Sequence, residues 1–130
     1  MPQCTIFIPN YNKGSLLEFL LKQLQYQMND FFKICVIDDN SKIKTQEVNI
    51  KNCEYIYNQQ NMGINSIRNY CLKKCNTNYL MFIDSDDFIS LSYLQKIQEL
   101  INNYSNYDVI EFSFMSYPEG EIIYKEDIAI

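Results

Sequence analysis

Three carboxylates fall within four residues at Asp84-Ser85-Asp86-Asp87, directly after the apolar run Tyr79-Leu80-Met81-Phe82-Ile83. Carboxylates this close repel one another unless a cation, hydrogen bonds or solvent relieve them. In an extended segment, residues two apart share a face, so Asp84 and Asp86 could jointly hold a hard divalent metal. Mg2+ or Mn2+ bound to a diphosphate would suit such a pair. Asp and Ser are also ordinary turn and helix-capping residues, and the run alone is open to either reading. A second acidic pair, Asp38-Asp39, could accept hydrogen bonds from a base or ribose, or could simply end a strand. Tyr11 could stack on a flat base or anchor its loop. Arg68, the only arginine, follows the Asn61-Met62-Gly63 loop, where it could meet an anion or lie solvated on a helix.

The elements that must position these residues can be read from periodicity. Tyr79–Ile83 has the continuous apolar character of a strand buried on both faces. Cys4–Ile8 reads as a short strand stopping at Pro9, and residues 10–14 as a turn-rich loop. Ser15 and Glu18 have capping-box spacing, opening a helix with Leu17, Leu20, Leu21, Leu24 and Met28 on one face. Phe31–Ile37 is a second strand and Glu54–Tyr57 a third, with a short helix expected around Thr45–Ile50 between them. Ile64–Cys75 reads as a helix with Ile67, Tyr70, Cys71 and Lys74 near one face, and Gly63 before it as a backbone shape that a side chain would forbid. A helix opening near Ser92 turns Leu94, Ile97, Ile101 and Tyr104 inward. Val109–Met115 is expected as a fifth strand, Pro118-Glu119-Gly120 as a turn and Glu121–Tyr124 as a returning strand.

This alternation predicts an α/β chain: a Rossmann-like three-layer sandwich with a mostly parallel central sheet. In such a sheet the polar loops after strands one, two and four emerge on one edge, where open α/β sheets bind ligands.

Bulk properties narrow the chemistry. A chain of 130 residues with 47% hydrophobic residues reads as a single globular domain over residues 1–130. The net charge of −5 argues against nucleic acid as the main partner. No basic signal region and no membrane-length apolar run are visible, so the expected location is cytoplasmic, or peripheral at the inner face of a membrane. Five cysteines, an odd number, fit free thiols better than a disulfide framework, with Cys35 a small core residue. Cys71 and Cys75 are spaced to share a zinc on a helix, but no histidine and no second close cysteine pair supports that site. The absence of histidine also removes Ser-His-Asp and Cys-His chemistry. Neither a Gly-x-Gly-x-x-Gly nor a P-loop is present, and only three glycines occur. A metal and Arg68 would therefore have to neutralise any bound phosphates.

Four segments in order resemble a known family: Thr5–Asn12, Val36–Ser41, Asn61-Met62-Gly63 with Arg68-Asn69, and Phe82–Asp87. Together they look like family 2 glycosyltransferases of the GT-A fold, over roughly residues 3–105. The resemblance implies an inverting enzyme that uses Mn2+ or Mg2+ to move a sugar from a nucleotide-diphosphate donor, usually a UDP-sugar, to an acceptor hydroxyl. By position, Pro9 and Tyr11 would line the base and ribose pocket, and Asp39 would bind the base. Arg68 would reach the base or diphosphate, Asp84 would lie near ribose and metal, and Asp86 would be the principal metal ligand.

The family's later half, which carries the acceptor site and the catalytic base, has no counterpart in these residues. Glu111, Glu119, Glu121, Glu126 and Asp127 match no base context, and they read as solvating or edge-protecting charges. The glycan, lipid-linked or protein acceptor is left open. Two other functions compete: a non-catalytic nucleotide- or partner-binding module, and a haloacid-dehalogenase-like phosphatase. The phosphatase normally places its Asp-x-Asp after the first core strand, whereas here the pair follows the fourth.

Overall fold

The computed structural model describes residues 1–111 and, beyond them, the strands Phe114–Met115, Ile122–Ile123 and Ile128–Ala129. Residues Met1–Leu94 form one compact unit and Gln95–Ile130 a second. In the first unit, β1 (Cys4–Asn10), β2 (Phe32–Asp38), β3 (Cys53–Tyr57) and β4 (Tyr79–Phe82) form one sheet in the order β3-β2-β1-β4. All three ladders are parallel. The helices are α1 (Ser15–Gln27) and α2 (Ile64–Lys74), with α3 (Tyr93–Asn103) starting at the end of this unit.

The strand order places the helices. The β1-to-β2 connection steps one way across the sheet, and the β3-to-β4 connection steps back the other way. Right-handed crossovers therefore put α1 and α2 on opposite faces. Phe7, Cys35 and Ile37 pack with Ile67 and Cys71 of α2. The alternate residues Ile6, Ile8, Ile34 and Val36 point to the other face and are fully buried with Leu17, Leu20, Leu21 and Leu24 of α1. The expected Rossmann-like parallel sheet flanked by helices is thus the observed one, and it is consistent with a GT-A fold.

Several local expectations differ. β1 runs through Pro9 to Asn10, because the donor that Pro9 lacks would point towards β4. Phe7 already faces that side, its carbonyl accepting the Ile83 N–H, and β4 has ended there. β4 is half-buried rather than buried on both faces, being bonded on one side only among the described residues. The helix expected near Thr45–Ile50 is absent: residues 44–50 have no regular structure. Thr45 is drawn into a buried network at Asp38, and Val48 exchanges backbone hydrogen bonds with the Tyr55 hydroxyl.

Gly14, at a φ of 48°, precedes α1, and no side-chain cap forms at Ser15 or Glu18. On α2, Ile67 and Cys71 turn inward, while Tyr70 faces solvent with the Lys74 ammonium over its ring. Tyr104, expected inward, is 40% exposed beyond the end of α3.

The expected fifth strand is instead two short strands, β5 (Ile110–Glu111) and β6 (Phe114–Met115). They pair antiparallel with β8 (Ile128–Ala129) and β7 (Ile122–Ile123), apart from the parallel sheet. The returning strand expected over 121–124 is present as β7. The turn at 118–120 and the charges at Glu119, Glu121, Glu126 and Asp127 lie outside the described residues.

Candidate functional site

Because β1 to β4 are parallel, the loops following all of them leave the same edge, and the acidic segments meet there. A cavity of about 270 Å³ is lined by Pro9, Tyr11, Asp39, Asp84 and Asp86, with Lys13 at its side. Five of the six residues expected at a site therefore converge. The sixth, Arg68, stands on α2 with Nη2 3.7 Å from Asp84 Oδ1 and its guanidinium 5.8 Å from the Phe82 ring centre. A larger cavity of about 350 Å³ lies between the 58–62 loop and α2, lined by amide, hydroxyl and apolar groups with no charged side chain. Charge chemistry belongs to the smaller one.

The two acidic pairs are built differently. Asp38 is buried, lies outside the cavity lining, and directs its carboxylate to internal donors. Oδ2 accepts from Thr45 Oγ1 at 2.6 Å and Asn10 Nδ2 at 2.9 Å, and Oδ1 accepts from the Ser41 N–H at 2.8 Å. Burial alone would push its pKa up, but these donors outweigh burial and hold it below the usual carboxylate range. Asp38 therefore has no role facing the cavity, and of the pair only Asp39 does.

Asp39 is also buried, and it fastens the neighbouring loop. Oδ1 accepts from Asn58 Nδ2 at 2.9 Å and the Met62 N–H at 2.8 Å, while Oδ2 accepts from the Gly63 N–H at 2.9 Å. Burial again works against ionisation, and again these donors prevail and keep the pKa low. A carboxylate has about four acceptor positions, so one on Oδ2 stays open beside the cavity. Gly63 reaches this arrangement at a φ of 80° with open space around it, so backbone shape rather than crowding requires glycine there.

Asp84–Asp87 is a tight turn, not an extended segment: the Asp87 N–H donates to Asp84 O at 3.0 Å. The turn, not strand alternation, brings Asp84 and Asp86 to one cavity. Asp87 folds back to accept the Asp84 N–H at 3.3 Å. Its pKa is raised, first by burial and then by the neighbouring Asp84 and Asp86 charges.

Past this turn, a row on α1 holds the chain: Phe19 packs edge-on against Phe88 at 5.6 Å between ring centres. Gln23 bonds both backbone groups of Ile89, and Gln27 takes the Leu94 N–H at 3.0 Å while donating to Ser90 O at 2.8 Å.

Sequence reading missed three participants. Lys13 Nζ lies 3.0 Å from Asp86 Oδ2. Asn12, at a φ of 57°, pins the first loop to the second: its N–H donates to Ser41 Oγ, and its Oδ1 accepts from the Lys42 and Ile43 N–H groups. The buried Asn10 braces Asp38, and its Oδ1 has no partner among the described residues. The only local signal was asparagine on either side of Tyr11, a residue type that tolerates left-handed backbone. The cysteines are free, and burial raises the Cys4 and Cys35 thiols to about 12 and the Cys71 thiol to about 11, so these three are core groups rather than nucleophiles.

The donor set can be tested against a hard divalent cation. Asp84 and Asp86 offer carboxylate oxygens to one cavity, and each already faces a cationic side chain. Among the described residues, no group of three His, Cys, Asp or Glu side chains converges. Two carboxylates with the remaining positions filled by phosphate and water is a usual arrangement for Mg2+. The residues present fit that kind of site.

A parallel α/β sheet with a charged cavity at the carboxyl ends of its strands defines an open α/β protein, an architecture that generally takes its ligands at that edge. The chain belongs to glycosyl transferase family 2, whose family description matches residues 5–128. It is 28% identical over 122 residues to the glycosyltransferase GlyA of Streptococcus pneumoniae, covering 90% of this chain and 17% of that protein. It is 29% identical over 110 residues to a Campylobacter jejuni GalNAc(5)-diNAcBac-PP-undecaprenol beta-1,3-glucosyltransferase, covering 78% of this chain and 35% of that protein. Its fold is similar to S. aureus TarS 1-349 in complex with UDP, with a TM-score of 0.73 and 21% identity over 96% of this chain and 38% of that one. The chain thus spans well under half the length of these relatives. No helix among the described residues is long and apolar enough to cross a membrane.

Proposed function

We propose that this chain is the donor-binding part of an inverting, metal-dependent glycosyltransferase that takes its sugar from a UDP-sugar. The observation that carries this reading is the meeting of Pro9, Tyr11, Asp39, Asp84 and Asp86 around one cavity at the strand ends. Family membership supports the reaction class. The UDP bound by the TarS protein supports the choice of nucleotide.

In this reading Tyr11, 46% exposed at the cavity mouth, stacks on the base. The open acceptor position on Asp39 receives a base N–H, while its other acceptor positions hold the 58–63 loop. Arg68 sits beside Asp84, where it meets diphosphate charge. Asp86, with Asp84, would hold Mn2+ or Mg2+, which when bound supplies Lewis-acid stabilisation of the departing diphosphate. No residue of the chain is assigned as the base that deprotonates the acceptor, whose identity as glycan, lipid-linked or protein hydroxyl is open.

Calorimetric titration of UDP and of ADP, with and without Mn2+, tests the reading. UDP binding that strengthens with Mn2+ and exceeds ADP binding is expected, and sugar release from a UDP-sugar panel then tests turnover. Binding without turnover would favour a non-catalytic module. UDP binding that ignores Mn2+ and survives Asp86→Ala would sink the metal assignment.

A further inference from the structure

The two carboxylates that would hold a metal are not idle without one. Lys13 Nζ lies 3.0 Å from Asp86 Oδ2, with both side chains about two-fifths exposed, and Arg68 faces Asp84 from the other side. The Lys13 backbone is held on both flanks. Before it, Asn12 is pinned to residues 41–43, and after it the Lys13 carbonyl accepts the Leu16 N–H at 3.0 Å as α1 begins. Only the flexible stem can move, so the ammonium swings about a fixed point at the cavity wall. A divalent ion approaching Asp86 Oδ2 competes with it for the carboxylate charge. A diphosphate in the same cavity offers Lys13 a denser anion than one carboxylate.

We propose that Lys13 is an exchangeable cation that links metal binding to donor binding. In the empty site it neutralises Asp86. When the diphosphate enters, Lys13 turns to the phosphates and frees Asp86 for the metal. Metal and nucleotide then strengthen each other's binding through one side chain, beyond their direct attraction, and the effect is reciprocal. This inference rests on reading the cavity as a nucleotide-diphosphate site.

The test compares wild type, Lys13→Met and Lys13→Arg. Free Mn2+ is followed by electron paramagnetic resonance with and without saturating UDP, UDP is followed by calorimetry, and melting curves check folding. An exposed pair of this kind shifts an equilibrium by at most about fivefold, so Lys13→Met is expected to bind Mn2+ alone several-fold more tightly. It should bind UDP more weakly without metal, and the factor by which UDP tightens Mn2+ should fall. Lys13→Arg should keep that factor near the wild-type value. If Lys13→Met leaves both the Mn2+ affinity and the coupling factor unchanged while wild type still binds UDP and Mn2+, the Lys13 exchange is wrong and the site reading stands. If wild type binds neither, the site reading itself fails and the exchange falls with it.

Discussion

The acidic segments at the ends of β2 and β4 have similar compositions and opposite physical states. Asp38 and Asp39 are buried, ringed by donors and held ionised by them. Asp84, Asp86 and Asp87 stand on an exposed turn, where Asp87 is pushed towards protonation and Asp86 leans on a lysine. In the proposed reading the first pair is structure with one acceptor position left for a ligand, and the acidic turn is charge held ready for one. Identical side chains thus differ in physical state by how many hydrogen-bond donors, from backbone and side chains together, surround them.

The contrast can be broken most severely at Asp38. Asp38→Ala leaves Thr45 Oγ1, Asn10 Nδ2 and the Ser41 N–H without their acceptor. A loss of about 3 kcal/mol or more is expected in urea unfolding. Asp39→Asn comes next: the amide nitrogen cannot accept, so one side of the 58–63 loop loses its anchor. About 2 kcal/mol of stability should go, together with UDP binding measured by calorimetry. By contrast Asp84→Ala and Asp86→Ala should change stability by less than about 0.5 kcal/mol while removing the Mn2+ dependence of UDP binding.

Acid separates the pairs by sign. The folded-state pKa values of Asp38 and Asp39 are lowered, so their contribution is complete above the unfolded value of about 3.9 and is lost as pH falls through the folded values. Asp87 is raised, so its ionisation weakens the fold at neutral pH and its protonation relieves this as pH falls through its folded value. Asp87→Asn should therefore stabilise slightly at pH 7, by no more than about 0.5 kcal/mol after solvent screening, and by nothing in acid. Unfolding midpoints across pH 3–7 check both signs. A gain that persists at pH 3 would contradict the assigned origin of the Asp87 shift.

How far the sequence reveals this contrast depends on the kind of interaction. The parallel sheet and α1 were legible because Leu17, Leu20, Leu21 and Leu24 keep a helical period and the strands keep apolar runs. The edge carrying the site followed from topology alone. What stayed hidden depends on hydrogen bonds between distant segments. Nothing local distinguishes Asp38 from Asp39, because their roles are decided by Thr45 and Asn10 on one side and by the Met62 and Gly63 amides on the other. The helix foreseen near Thr45 gave way to that same network. Pro9 looked like a strand end because the side of the sheet its missing donor would face is unknowable before strand order is known. Lys13 was hidden for the same reason, since its partner lies 73 positions further along the chain.

The row Phe19, Gln23 and Gln27, spaced one helical turn apart on α1, has a mechanical consequence. It works as a rail along which the chain after the acidic turn is clipped, first by a ring and then by two amides. The rail starts beside the loop bearing Tyr11 and Lys13, so both jaws of the cavity are mounted on one rigid beam. The short turn ahead of Phe88 lies before the first clip. Amide exchange should accordingly be fast at residues 85 and 86 and slow at Ile89 and Leu94, a boundary only a few residues wide.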